Sequence, residues 1–135
     1  MIAKYLQAGL WIAFLTMPSR ADVCDDIHGI ANRWHNLANY IHEHSDNGTL
    51  RKNEIAKVAG ETRQLVNPTR TLGTFLANEY QGADAQRVRA QGKQILAALE
   101  ELGGLKEDDD WNEDVKIIDR LVSVTDHVVE ICDGK

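Results

Sequence analysis

Four runs of apolar residues, each recurring at three- and four-residue steps and each closed by a helix-stopping signal, restrict this chain to a helical fold. In the first, Ile27, Ala31, Trp34, Leu37 or Ala38, and Ile41 share one face of a helix expected from Asp25 to His44. Ser45-Asp46-Asn47-Gly48 stops it, because Asn and Gly tolerate the left-handed conformation that a helix exit needs. The second stripe, Ile55, Val58, Thr62, Leu65, Thr69, Leu72 and Leu76, keeps its phase through Pro68. Either one rod kinks at Pro68, or Asn67 caps a new segment with Pro68 at its first position. Gln81-Gly82 ends that rod. Val88, Gln91, Ile95, Leu99 and Leu102 mark a third helix, stopped by Gly103-Gly104. The fourth is expected to begin near Asp110, with Glu113 as its capping-box partner, and carries Trp111, Val115, Ile118, Leu121, Thr125, Val128 and Cys132. No segment alternates like a strand for long enough to compete.

Four amphipathic helices on short connections pack most simply as an all-α, up-down-up-down four-helix bundle. In that topology the start of the first helix and the end of the last share one end of the bundle. The two cysteines, Cys24 and Cys132, stand at those places, and an even count in an exported chain reads as one disulfide. Closing a loop of about 100 residues is worth roughly 4 to 5 kcal/mol in the chain-entropy description.

Export is read from the amino terminus. Lys4 gives a positive start, Tyr5 to Met17 is apolar, and Ser19-Arg20-Ala21 sets small residues three and one positions before a cut ahead of Asp22. A membrane anchor needs about 20 apolar residues, whereas this run is shorter and interrupted by Gln7 and Gly9. A lipoprotein would need a small-residue signal before Cys24, where Ala21, Asp22 and Val23 stand. The expectation is a secretory signal over 1–21, a single helical domain over 22–135, and a periplasmic or secreted location.

The whole chain carries 15 basic and 21 acidic residues, a formal charge of −6. Loss of Lys4 and Arg20 with the signal leaves 13 basic against 21 acidic, a charge of −8. Nucleic acid and anionic membrane surfaces repel such a protein, and a basic protein or a cation is favoured. The expected topology gathers Glu43, Asp46, Glu54, Glu107, Asp108, Asp109, Asp110, Glu113 and Asp114 at the end opposite the cysteines. Acids at the front of a helix complement its dipole. They also offer a docking face, with Glu107, Asp108, Asp109 and Asp110 steering a basic protein and an exposed Leu105 or Trp111 as apolar anchor.

Within this end, the twelve residues from Glu43 to Glu54 place Gly48 sixth, Leu50 eighth and Glu54 twelfth, between two helices. That segment resembles an EF-hand calcium loop. The resemblance implies calcium held by Glu43, Ser45, Asn47, the Thr49 carbonyl and both oxygens of Glu54. It departs from the family with Glu43 in place of the usual Asp, a neutral Ser45 as third ligand, and Arg51 at the ninth position. Any calcium affinity is expected to be weak.

His28, His35 and His42 recur at seven-residue spacing on the first helix, on the side that meets the fourth helix with its Asp119, Asp126, His127 and Glu130. Seven residues span about 10.5 Å of helix axis, too far for two of them to share one metal ion. Histidines hydrogen-bonded to acids across the helix boundary are the expected arrangement. No catalytic residues are expected: the chain has no Gly-x-Ser-x-Gly elbow, no phosphate-binding glycine loop and no spare cysteine. Trp34, Trp111, Phe75 and Tyr80 fall on or beside the apolar stripes, where packing accounts for them. The function expected is that of a small exported non-enzymatic binding protein, similar in size and cysteine usage to helical inhibitors and toxin-immunity proteins; the alternative is a weak calcium-binding module built on the 43–54 loop.

Overall fold

Four helices run through the residues that the computed structural model describes, 20–103 and 111–134, the side chains of 20–22 apart. They are α1 (Arg20–Glu43), α2 (Ile55–Asn78), α3 (Ala85–Leu102) and α4 (Asn112–Cys132). Each packs on its neighbour in the chain, and α4 returns to α1, so the four close a ring around one core. The expected signal lies outside the described residues except for Arg20 and Ala21, which open α1. Among the described residues no helix is long and apolar enough to cross a membrane.

The boundaries differ from the sequence reading in ways that packing explains. The first helix starts at Arg20 rather than Asp25, because Val23, one turn before Ile27, extends the apolar stripe and is fully buried. Pro68 sits inside an unbroken α2, so the single rod forms. One backbone donor is lost there, and the buried residues on both sides of it, Leu65, Thr69 and Leu72, hold the two halves in phase. Helix α4 begins at Asn112 with Trp111 as its cap residue and no side-chain capping bond, and the expected capping partner Asp110 lies outside the described residues.

The connection between α1 and α2 is a β-hairpin that the periodicity does not reveal. Strands β1 (Ser45–Asp46) and β2 (Thr49–Leu50) pair antiparallel, Ser45 opposite Leu50 and Asp46 opposite Thr49. Strands of two residues are too short to show alternation. Asn47 and Gly48 both hold positive φ, 53° and 82°, the backbone of a type I′ turn, which Asn-Gly favours because its twist matches paired strands. Leu50 is buried and pins the hairpin to the bundle; a short 3₁₀ turn (Lys52–Glu54) leads into α2.

Trp34 has no exposed surface and shares the core with Ile27, Ile41, Leu76, Ile95, Ile118 and Leu121. Burying an indole leaves its N–H in need of an acceptor. Thr69 of α2 supplies one, with Nε1 donating to Oγ1 at 3.0 Å. The other buried threonines satisfy themselves within their helices: Thr62 donates to the Val58 carbonyl at 2.7 Å and Thr125 to that of Leu121 at 2.8 Å. Polar residues thus sit on the apolar stripes without an unmet hydroxyl donor.

Helices α2 and α3 approach most closely where glycine removes the side chain. A Cβ at Gly92 would lie 2.6 Å from the Ala77 backbone nitrogen and 2.9 Å from Leu76 Cβ. At Gly73, facing α3, it would meet Ile95 and Leu96 at 3.1 and 3.2 Å. These paired contacts run in opposite directions along the two helices, which fixes them as antiparallel.

Two stability predictions follow from this packing. Gly92→Ala should destabilise the domain by about 1–3 kcal/mol, the usual cost of overpacking. Gly60→Ala, in α2 with nothing within 4 Å of the added methyl, should stabilise by about 0.5–1 kcal/mol. Urea unfolding of the two variants checks both signs, and equal effects would mean that α2 and α3 do not approach so closely in solution. In the same assay, replacing Cys24 and Cys132 together by Ser should remove as much as about 4 to 5 kcal/mol by releasing the unfolded chain. A loss below about 1 kcal/mol would mean that the unfolded chain already keeps its ends together.

Candidate functional site

The Cys24–Cys132 bond joins α1 to α4, with Cα atoms 5.7 Å apart. From that bond a ladder of histidine–aspartate pairs runs along the seam between the two helices. His28 Nε2 meets Asp133 at 2.9 Å, His35 Nε2 meets Asp126 at 2.8 Å, and His42 Nε2 meets Asp119 at 3.2 Å. Each step of seven up α1 is a step of seven down α4, so the helices are antiparallel and in one register throughout. Two turns of helix advance about 10.5 Å and bring a residue back to nearly the same azimuth, which is why one heptad spacing can serve three pairs. A carboxylate only accepts hydrogen bonds, so in each pair the imidazole Nε2–H donates.

The ladder is the arrangement expected of boundary histidines, with Asp133 added to it. Asp133 lies just beyond α4, seven residues after Asp126, and that spacing is the signal that points to it. His127 and Glu130 are exposed and stand outside the ladder. Among the described residues no group of three or more His, Cys, Asp or Glu side chains is placed to hold a metal ion.

At the far end, Tyr40 organises the hairpin. Its ring stacks on His44 with centroids 3.9 Å apart, Lys57 Nζ lies 4.7 Å over its face, and its hydroxyl donates to Glu54 Oε1. That bond, with smaller contributions from burial and from the nearby negative charge, holds the Tyr40 phenol above its usual pKa of 10.0. Ser45 Oγ donates to the Ile41 carbonyl at 2.6 Å, and Arg51 pairs with Asp46 at 3.2 Å. Of the residues that the EF-hand resemblance assigns to calcium, Ser45 and Glu54 therefore engage protein partners, and Asn47 forms the turn. Glu43 ends α1 and is exposed, and Thr49 lies in β2.

Of the expected docking residues, Glu107, Asp108, Asp109 and Asp110 lie outside the described residues, as does Leu105. Trp111 is buried rather than an exposed anchor. It stands four and seven residues before Val115 and Ile118, so helical spacing turns its ring onto the apolar stripe of α4 and into the core.

Charge is divided between the two sides of the ring. Helix α1 carries four acidic and two basic residues and α4 five and two, whereas α2 carries one acidic and three basic and α3 two and three. The ladder runs along the acidic side. A cleft opens between α1 and α2, with Arg33 and Asn36 on one wall and Lys57 and Glu61 on the other. No protein-family model matches the chain, and no curated protein or solved structure matches it.

The His35–Asp126 pair is the test of how much the ladder contributes. Both side chains are more than two-fifths exposed, at 45% and 41%, so solvent screens the pair. A double-mutant cycle on His35→Ala and Asp126→Ala, read by urea unfolding at pH 6, should give a coupling of less than about 1 kcal/mol. The coupling should shrink at about 0.5 M salt. A larger, salt-insensitive coupling would mean that the pair is shielded from water.

Proposed function

We propose that this protein is a small non-enzymatic binding protein that docks a basic partner protein on its acidic side, with occlusion of the partner's surface as its mode of action. The observation that carries this reading is the division of charge: α1 and α4 together hold nine acidic and four basic residues, while α2 and α3 hold three and six. A field of one sign on one side of a bundle steers a partner of the opposite sign into a single orientation, raising the encounter rate and disfavouring wrong partners. The working compartment in this reading is oxidising, periplasmic or extracellular, where a bond between Cys24 and Cys132 persists.

Asp25 and Glu130 suit a test because both are exposed on α1 and α4 and neither makes an ion pair or hydrogen bond among the described residues. Their charges can be reversed without breaking the fold. Immobilised oxidised protein should retain a basic protein from the extract of its own compartment. That retention should fall by about tenfold or more in the Asp25→Lys, Glu130→Lys double variant and again at about 0.5 M salt. Retention indifferent to both changes would overturn the electrostatic reading. A melting temperature raised by about 1 mM calcium in the wild type and unmoved in Glu54→Gln would replace it with calcium binding.

A further inference from the structure

Each rung of the histidine–aspartate ladder sets a ring nitrogen beside a carboxylate oxygen, at 2.9, 2.8 and 3.2 Å. Two ligands on one zinc ion, with bonds of about 2.0–2.1 Å at the tetrahedral angle, stand about 3.3 Å apart. Every rung therefore holds its two donor atoms within about 0.5 Å of the spacing that zinc requires. Imidazole and carboxylate are both zinc ligands, and the six side chains are 39% to 56% exposed, so an ion in solution can reach them.

A single chain does not complete the coordination shell. Each rung gives two ligands, and among the described residues no group of three or more His, Cys, Asp or Glu side chains is placed to hold a metal ion. A second copy of the chain supplies the missing two. The rungs recur every seven residues on both helices, so they lie along the seam at equal steps of about 10.5 Å. A two-fold axis across the seam at the middle rung lays His35 and Asp126 on their own copies. The same operation lays the His28–Asp133 rung of each chain on the His42–Asp119 rung of the other. Unequal steps would align only one rung.

The flanks and the charge of the seam fit such a pairing. One turn from the ladder histidines stand Asn32 and Asn39, and one turn from Asp119 stands Ser123, all exposed, small and uncharged. Glu130, one turn from Asp126, is a charged neighbour on that flank. Two acidic sides repel each other, since α1 and α4 hold nine acidic and four basic residues in each copy. Three zinc ions bring six positive charges to the six ladder carboxylates of two copies, so the metal both bridges the faces and offsets their repulsion.

We infer that the ladder is a row of zinc half-sites, and that zinc joins two copies of this chain face to face along the α1–α4 seam. Each of three ions takes two histidines and two aspartates, drawn from four helices, which is how metal sites are built in helical bundles. Zinc occupies the place of the hydrogen between Nε2 and the carboxylate, and the neutral ring carries its hydrogen on Nδ1 instead. The inference does not depend on docking of a basic partner, because it concerns purified protein and metal alone.

The test is sedimentation velocity of the oxidised protein in EDTA and then in zinc chloride. A monomer is expected in EDTA and a doubled mass in zinc, complete at about 1.5 ions per chain and reversed by EDTA. His28→Gln, His35→Gln and His42→Gln each keep an amide donor for the facing aspartate and remove the imidazole. Each should weaken pairing by about tenfold or more, and the three together should abolish it. His127→Gln, at an exposed histidine outside the ladder, should leave pairing unchanged. Calcium at the same concentration should not pair the chains, because a hard cation prefers oxygen ligands to imidazole. The ladder histidines lie at the surface, so the variants should keep the helical circular-dichroism spectrum. A monomer at saturating zinc, pairing that survives loss of all three ladder histidines, pairing lost in His127→Gln, or equal pairing by calcium would each overturn the proposal.

Discussion

The covalent bond between Cys24 and Cys132 makes the first helix the neighbour of the last, and most of the remaining architecture follows from that adjacency. Short connections already require α1 to lie beside α2, α2 beside α3 and α3 beside α4. What they leave open is whether the ring closes. A bridge between α1 and α4 closes it, and the histidine–aspartate ladder lies in the register that the buried apolar stripes of α1 and α4 share. The two devices act differently. The disulfide limits the unfolded ensemble, while the ladder adds a small, solvent-screened contribution to the folded register, since a slip of α4 by one residue would carry Asp119, Asp126 and Asp133 away from their partners together.

Inside the ring, different seams are built with different chemistry. Gly73 and Gly92 let α2 and α3 meet closely, with only backbone and Ala77 or Leu76 between the axes at Gly92. Across the core, the bulky Trp34 reaches from α1 to Thr69 of α2 and satisfies its one donor there. The α1–α4 seam is polar at its margin, and the cleft on the α1–α2 seam is lined in part by Arg33, Asn36, Lys57 and Glu61. A bundle whose seams differ in this way presents distinct surfaces. The acidic side carries the ladder, the opposite side is basic, and a polar cleft lies at the boundary between α1 and α2.

How much of this was legible in the residues depends on whether the signal is local. The 3.6-residue period identified all four helices of the described residues, including the passage through Pro68, since a phase kept across a proline is visible in one dimension. The heptad of His28, His35 and His42 was visible too, and Asp119 and Asp126 could be named as facing acids from the topology. Asp133 was not named, because it falls past the end of α4, where periodicity ceases to be informative. Asn47-Gly48 shows the limit of a short motif: the same dipeptide fits the glycine position of a calcium loop and the corner of a type I′ hairpin. The segment carries two paired residues on each side of that corner, with Leu50 buried against the bundle.

Taken alone, the residues determined the all-helical class, the stops between helices, the single disulfide and the net negative charge. Each of these depends on composition, spacing or covalent capacity within the chain. Tertiary structure alone decided that a cleft between α1 and α2 has both Arg33 and Lys57 in its lining. The reason is geometric. Arg33 and Lys57 stand on different helices at unremarkable spacings, and only the rotation of each helix about its own axis, set by how all four apolar stripes pack at once, determines which polar side chains meet at a seam.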